Sequence, residues 1–250
     1  MAELFILTGA SRGLGLAMAE QLLAPEVRLL TLARQPGTEL AARAQAAGCA
    51  LTQLACDLAE PVVAATQLEA WLAQQDGGSF VRATLINNAG AIGVVGPIEQ
   101  DDPGQVARLM RVNLEAPMLL ARAFLAATAA WPGTRRVLNV SSGAGRRAIA
   151  GWSVYCAAKA GLDHFTRVLA ADEALKPRGA KVCSLAPGVI DTGMQAQLRA
   201  ADGAGFPDQA LFHELKQSGQ LASPADAAAR VLAFLARPDF GTEPVADVRS

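Results

Sequence analysis

The sequence predicts a doubly wound α/β protein, and three observations carry that expectation. Short, almost continuously apolar and partly β-branched runs recur along the chain, as buried parallel strands do. Each run ends in small or polar residues, and a segment with helical spacing follows it. Strict alternation of this kind implies a parallel sheet covered on both faces by right-handed crossovers. A hydrophobic share of 52% against 18% charged residues over 250 positions supports a substantial buried core.

The elements follow in order. ELFILT is the first strand, and TGASRGLG leads from it into a helix over Leu14 to Leu23 that Pro25 closes. VRLLTLA precedes a helix from Thr38 to Ala47, and ALTQLAC precedes one from Pro61 to Gln74. ATLIN runs into NNAG and then a long helix from Pro103 to Ala130, which Pro117 is expected to kink. RRVLNV leads through SSGAG to a helix from Val154 to Leu175, closed by Pro177. After AKVCSLA the alternation breaks over Gly193 to Gln220, where Met194, Phe206 and Phe212 stand among glycines and polar residues. An insertion at the carboxyl end of a strand reads as a substrate lid. PVADVR completes the sheet. No linker or internal repeat divides the chain, so residues 1–250 read as one domain with a lid at about 193–220.

Several function classes drop out. The net charge is −1 and no dense basic run occurs, which argues against nucleic acid and for a small diffusible partner. The amino-terminal apolar run is too short for a secretory signal, and Arg122 interrupts the longest oily stretch below the roughly 20 apolar residues that a membrane span needs. A cytoplasmic protein without membrane attachment is expected. Cys49, Cys56, Cys156 and Cys183 form no CxxC pair and no histidine cluster accompanies them, so free thiols and no metal site are expected. His164 and His213 carry no surrounding motif, and no GxSxG elbow surrounds Ser141 or Ser142. Hydrolysis therefore lacks its base and its elbow.

The turn after the first strand carries Gly9, Gly13 and Gly15, with Ser11, Arg12 and Leu14 between them. Placed between strand and helix, these glycines permit a tight turn and close approach of a pyrophosphate to backbone N–H groups. Arg34 stands at the end of the second strand, where an NAD-binding turn would carry an acid. Arg12 and Arg34 together would clamp a 2′-phosphate, which predicts NADP(H); the alternative is that both are solvated surface. Asp57 is placed to accept from the adenine amino group with Leu58 lining the ring, or else to cap the following helix. Asn88, Ala89 and Gly90 form a small-residue loop over which a cofactor ribose can pass.

Tyr155, the only tyrosine in the chain, lies four residues before Lys159 and shares its helix face. A nearby ammonium, together with the charge of an oxidised nicotinamide, favours phenolate, so this pair can pass a proton in either direction. Ser142 would orient a substrate carbonyl, Lys159 would also hold the nicotinamide ribose, and Asn113 would keep a water beside Lys159. In isolation each spacing is ordinary helix surface. Together, behind a nucleotide-binding turn, they point to chemistry.

TGASRGLG, NNAG, the Asn113 segment, SS followed by YCAAK, and APGVIDTGM stand in this order over residues 4 to about 195, and the chain resembles the short-chain dehydrogenase/reductase family. The resemblance implies a Rossmann-like domain on a seven-stranded sheet, reversible hydride transfer between NAD(P)H and a carbonyl or alcohol, no active-site metal, and dimers or tetramers. It also implies that Pro187, Gly188, Val189, Ile190 and Thr192 cover the nicotinamide. SSGAG, GWSVYCAAKAG, APGVIDTGMQAQLR and the ending ADVRS are most similar to the branch of sepiapterin and benzil reductases, and the usual glycine pair after the last strand is missing. That branch implies NADPH-dependent reduction of an aromatic diketone to an (S)-hydroxyketone, with sepiapterin reduction or broad carbonyl reduction as the alternative. A catalytically idle nucleotide-binding protein is the rival from another class. Trp152 and Met194 join Ser142 and Tyr155 as expected substrate contacts, within an apolar wall of Ile149, Gly151, Leu198, Phe206 and Phe212. The helices around Val106 to Ala127 and Val154 to Leu175 are apolar over more than one face, which points to a twin helix across a two-fold axis and a homodimer or homotetramer.

Overall fold

The structure is a computed structural model that describes residues 1–249; Ser250, the last residue of ADVRS and of the domain read as 1–250, lies outside the described residues. Seven parallel strands form one sheet in the order β3-β2-β1-β4-β5-β6-β7. They are β1 Ala2–Thr8, β2 Val27–Ala33, β3 Ala50–Ala55, β4 Phe80–Asn87, β5 Thr134–Val140, β6 Lys181–Ala186 and β7 Val245–Asp247. Between them run α1 Gly13–Gln21, α2 Thr38–Ala46, α3 Pro61–Leu72, α4 Pro103–Met110, α5 Ala116–Ala127, α6 Ser153–Ala174, α7 Gly193–Arg199, α8 Gln209–Gln217 and α9 Pro224–Ala236.

Two cores flank the sheet because side chains alternate along each strand. Leu7, Leu29, Ile86, Leu138 and Leu185 face α1, α2 and α9. Leu4, Ile6, Leu30, Leu85 and Val137 face α3 and α5 on the other side. The helix α9 has no counterpart in the sequence reading, although its start is encoded locally. Ser223 accepts from the Asp226 N–H and Pro224 occupies the first turn, where its missing donor is not needed.

The single helix expected from Pro103 to Ala130 is divided. A wide π turn over Arg111–Glu115 separates α4 from α5 and carries Asn113. Pro117 explains it: the ring has no N–H to give the Asn113 carbonyl four residues earlier, and it crowds the preceding turn. The expected kink is therefore a widened turn lying ahead of the proline.

The strand order reverses between β1 and β4, which opens a crevice at their carboxyl ends. A buried polar chain fixes the helices around it. Asn87 of β4 donates to Asn139 of β5 at 2.9 Å and to the Pro117 carbonyl at 3.3 Å, and Asn139 donates to Thr166 of α6 at 2.9 Å. Residues 193–220 hold α7 and α8, and this excursion is closed at its base, where Ala222 N–H donates to Val189 and Asp191 N–H donates to Ala222. Among the described residues no helix is long and apolar enough to cross a membrane.

Candidate active site

The glycine turn lies at the mouth of this crevice. Gly9 and Gly13 take φ values of +72° and +56°, in the left-handed region that side chains resist. A Cβ on Gly15 would stand 2.2 Å from the Gly9 carbonyl oxygen, so the helix backbone can lie this close to the turn only without one. Arg12, which precedes α1, contributes no side-chain cap, leaving the first N–H groups of the helix to a ligand at its positive end. These donors and this open backbone fit a pyrophosphate.

Asn88 braces the turn. Its side chain donates to the Thr8 carbonyl at 2.9 Å, while the N–H groups of Asn88 and Ala89 each donate to the Thr8 hydroxyl at 3.0 Å. Thr8 is a functional position that the sequence reading missed. Arg12 and Arg34 are both exposed, and neither side chain makes a hydrogen bond or ion pair among the described residues. Gly9 N–H donates to Leu32 at 2.8 Å, which brings the end of β2, and Arg34 just beyond it, beside the turn.

Of the two readings of Asp57, the helix cap fails, because α3 begins at Pro61 with Glu60 before it. The Asp57 carboxylate accepts from Ala59 N–H at 3.0 Å and from Arg108 at 2.9 and 3.3 Å. The Ala59 N–H foremost, then Arg108 and Arg34, hold its carboxyl below the usual range. Leu58 beside it is buried. Arg108 stands on α4, far away in sequence, and only the fold reveals it.

Asn113 and Lys159 meet at Gly90. A Cβ there would lie 3.1 Å from Asn113 Oδ1 and 3.9 Å from Lys159 Nζ. Asn113 is fully buried, and its side chain is committed at both ends to Ala91, donating to the carbonyl at 2.7 Å and accepting from the N–H at 3.0 Å. The Asn113 side chain thus ties the π turn to the backbone just after Gly90. Lys159 donates to the Val140 carbonyl at 2.8 Å and stands 5.7 Å from the centre of the Tyr155 ring. The Ser142 hydroxyl accepts from Ala144 N–H at 3.2 Å and favours ionisation of the phenol.

Burial governs the electrostatics of this pair. Burial pushes the Tyr155 phenol up to about 12, outweighing Ser142, and pushes Lys159 down to about 8 against the opposing charge of Asp163. The protein's own groups thus favour neutral phenol over phenolate, because burial of Tyr155 outweighs its hydrogen bond with Ser142. As the chain has one tyrosine, absorbance at 295 nm reads this group directly. In protein without added cofactor no phenolate signal is expected below about pH 11, and a midpoint near the free-phenol value would contradict the burial effect.

The segment after β6 folds over the glycine turn. Gly188 has φ +84°, Pro187 and Ile190 are buried, Val189 and Ile190 pair with Ala222, and Thr192 Cγ2 would lie 3.5 Å from a Cβ on Gly13. On the other side of Tyr155, Trp152 stacks on its ring at 4.5 Å between centroids, with Phe206 and Phe212 edge-on to the indole. Met194 packs against the margin of this cluster. Phe206, Leu198 and Phe212 are its interior, and Ile149 is buried with them, so these residues pack α7 and α8 onto the domain instead of lining an open wall. Gly151 is where the 193–220 excursion meets this cluster, since a Cβ there would stand 2.3 Å from the Gly205 carbonyl oxygen. The void left beside Trp152 and Tyr155 is about 10 Å³, room for a single water.

Comparison with known proteins agrees with this geometry. The family model described as short chain dehydrogenase matches residues 3–203. The chain is 34% identical over 235 residues to a benzil reductase ((S)-benzoin forming) of Bacillus cereus, covering 94% of each protein. It is also 34% identical over 245 residues to a sepiapterin reductase of Meriones unguiculatus, covering 94% of this chain and 92% of that one. The crystal structure of an actinorhodin polyketide ketoreductase with NADPH superposes with a TM-score of 0.79 at 25% identity, over 99% of this chain and 95% of that one.

Proposed function

Because the chain belongs to the short chain dehydrogenase family and is an oxidoreductase of the CH-OH/carbonyl class, we propose that it is an NADPH-dependent carbonyl reductase whose preferred substrates are aromatic diketones. The observation that carries this reading is the meeting of Asn113 and Lys159 at Gly90, beside the glycine turn, with the Tyr155 ring centre 5.7 Å from Lys159 Nζ. Similarity to the benzil reductase supports the substrate class, and the ketoreductase with NADPH supports the cofactor.

NADPH, when bound, supplies a hydride for the carbonyl carbon. The N–H groups around Gly9, Ser11, Gly13, Leu14 and Gly15 hold its pyrophosphate, Arg12 and Arg34 its 2′-phosphate, and Asp57 with Leu58 its adenine. Ala89 and Gly90 leave room for the ribose, Lys159 donates to its hydroxyls, and Pro187, Gly188, Val189, Ile190 and Thr192 close over the nicotinamide. Ser142 donates to the substrate oxygen and aims it at the Tyr155 hydroxyl, which gives up its proton. Asn113 holds the Gly90–Ala91 backbone against Lys159. A phenol that burial keeps protonated is matched to reduction at neutral pH.

Trp152 and Met194 offer apolar contact to an aryl group once residues 193–220 open as a lid. Met118 on α5 and Val168 on α6 are 38% and 48% exposed, apolar surface of the kind a two-fold partner covers, so a cytoplasmic homodimer or homotetramer completes the reading.

Steady-state rates with NADPH on benzil, simple aryl ketones and sepiapterin, with chiral analysis of the product, test the substrate. Benzil is expected to lead in kcat/KM by about tenfold and to give (S)-benzoin. A lead for sepiapterin would install the alternative suggested by the Meriones relative, and no reduction of any carbonyl would overturn the reading.

A further inference from the structure

A second charged cluster lies directly behind Lys159. Asp163, one helical turn further on the same face of α6, is 1% exposed. Its Oδ1 accepts from the Ser184 hydroxyl of β6 at 2.6 Å, and its Oδ2 accepts from Arg146 Nε at 3.1 Å. Arg146 also donates through Nη2 to the Ala246 carbonyl of β7 at 2.8 Å. The loop that brings Arg146 here lies on the helix backbone at Lys159 itself: a Cβ on Gly145 would stand 2.9 Å from the Lys159 carbonyl. One carboxylate thus joins the Ser142 loop, the helix of Tyr155 and Lys159, and the two last strands.

We propose that Asp163, paired with Arg146, is a positioning residue for the reduction, holding the Ser142 loop on α6 and supplying the negative charge that faces Lys159 from within the protein. This rests on the role of Lys159 given above. A structural tie alone needs no ion pair here, since an amide or hydroxyl could bridge Ser184 and the loop; a charge next to a buried ammonium does something an amide cannot.

The other ionisable groups around the pair are few. Cys183 on β6 is kept as thiol by burial, which pushes it up to about 12. Glu243 before β7 is exposed, and Asp247 on β7 is engaged chiefly with Arg249. Tyr155 is neutral. Asp163 is the charge that opposes desolvation of Lys159.

The signs follow. Asp163→Asn removes the negative charge and leaves Arg146 uncompensated, so the ammonium is disfavoured and Lys159 titrates lower. Arg146→Gln removes the positive charge and leaves the carboxylate, so Lys159 titrates higher.

The readout is the 13Cε shift of labelled lysine in protein without substrate or cofactor. The chain has four lysines, and Lys159 is identified by the signal lost in Lys159→Met. Asp163→Asn is expected to lower its midpoint by roughly one unit, Arg146→Gln to raise it, and Arg146→Lys to restore it. The alkaline limb of kcat with NADPH is expected to move the same way in each variant.

Midpoints that stay still, or that move together, overturn the proposal, as does an alkaline limb indifferent to a shifted midpoint. If Asp163→Asn does not fold, the two Arg146 variants carry the same test. The lysine signal is read without any carbonyl, so a wild type inactive on ketones would count against the reductase reading and not against the ion pair.

Discussion

Tyr155→Phe is expected to reduce kcat for NADPH-dependent ketone reduction by ~10²- to 10⁴-fold, the range that a positioned general acid contributes. The substitution deletes one hydroxyl and keeps the ring, so the stack on Trp152 survives and the cluster with Phe206 and Phe212 remains filled. Removing a buried hydroxyl whose ionisation the site already disfavours leaves no charge stranded. Thermal stability is therefore expected to stay close to wild type, and the loss to fall on turnover, with NADPH affinity nearly unchanged. Ser142→Ala should cost less than Tyr155→Phe, because Ser142 orients the oxygen while the phenol gives it a proton. Fluorescence titration of NADPH separates binding from turnover. Full activity in Tyr155→Phe would mean that the proton comes from elsewhere.

The parts legible in the sequence are those set by short-range pattern. Apolar runs became strands because a sheet covered on both faces needs unbroken hydrophobic segments, and all seven appear. Tyr155 and Lys159 were legible as a pair because four residues is one helical turn. What was not legible depends on partners far apart in the chain. Arg108 reaches Asp57 from another helix, Thr8 holds the loop after β4, and Arg146 reaches Asp163 only because Gly145 lets a loop lie on α6. The π turn was half legible: Pro117 announced a disturbance, but how the backbone absorbs it depends on packing between α5 and its neighbours. Residues 193–220 show a third limit. Phe206 and Phe212 look the same in sequence whether they line a pocket or fill a cluster, since apolarity alone does not say which atoms cover them.

Replacing Arg12 and Arg34 is expected to invert cofactor preference. Both side chains are exposed and make no ion pair among the described residues, unlike Arg108, whose charge is spent on Asp57. A 2′-phosphate presents about two negative charges, and each charge-assisted bond to it is worth about 1.5–3 kcal/mol, or ~10- to 100-fold. Arg12→Ala with Arg34→Asp should therefore lower kcat/KM for NADPH by ~10²- to 10⁴-fold. The new carboxylate at position 34 also gives a free 2′-hydroxyl an acceptor, so kcat/KM for NADH should rise. The loss belongs in KM, because the adenosine end is remote from the reacting carbonyl and contributes equally before and during hydride transfer. Ionic strength supplies an independent check. These cations are solvated, so added salt should raise the wild-type KM for NADPH more than that for NADH, and the difference should vanish in the double variant. A wild type that prefers NADH, or a double variant that keeps its preference for NADPH, would assign the two arginines to solvated surface and leave selectivity to contacts deeper in the crevice.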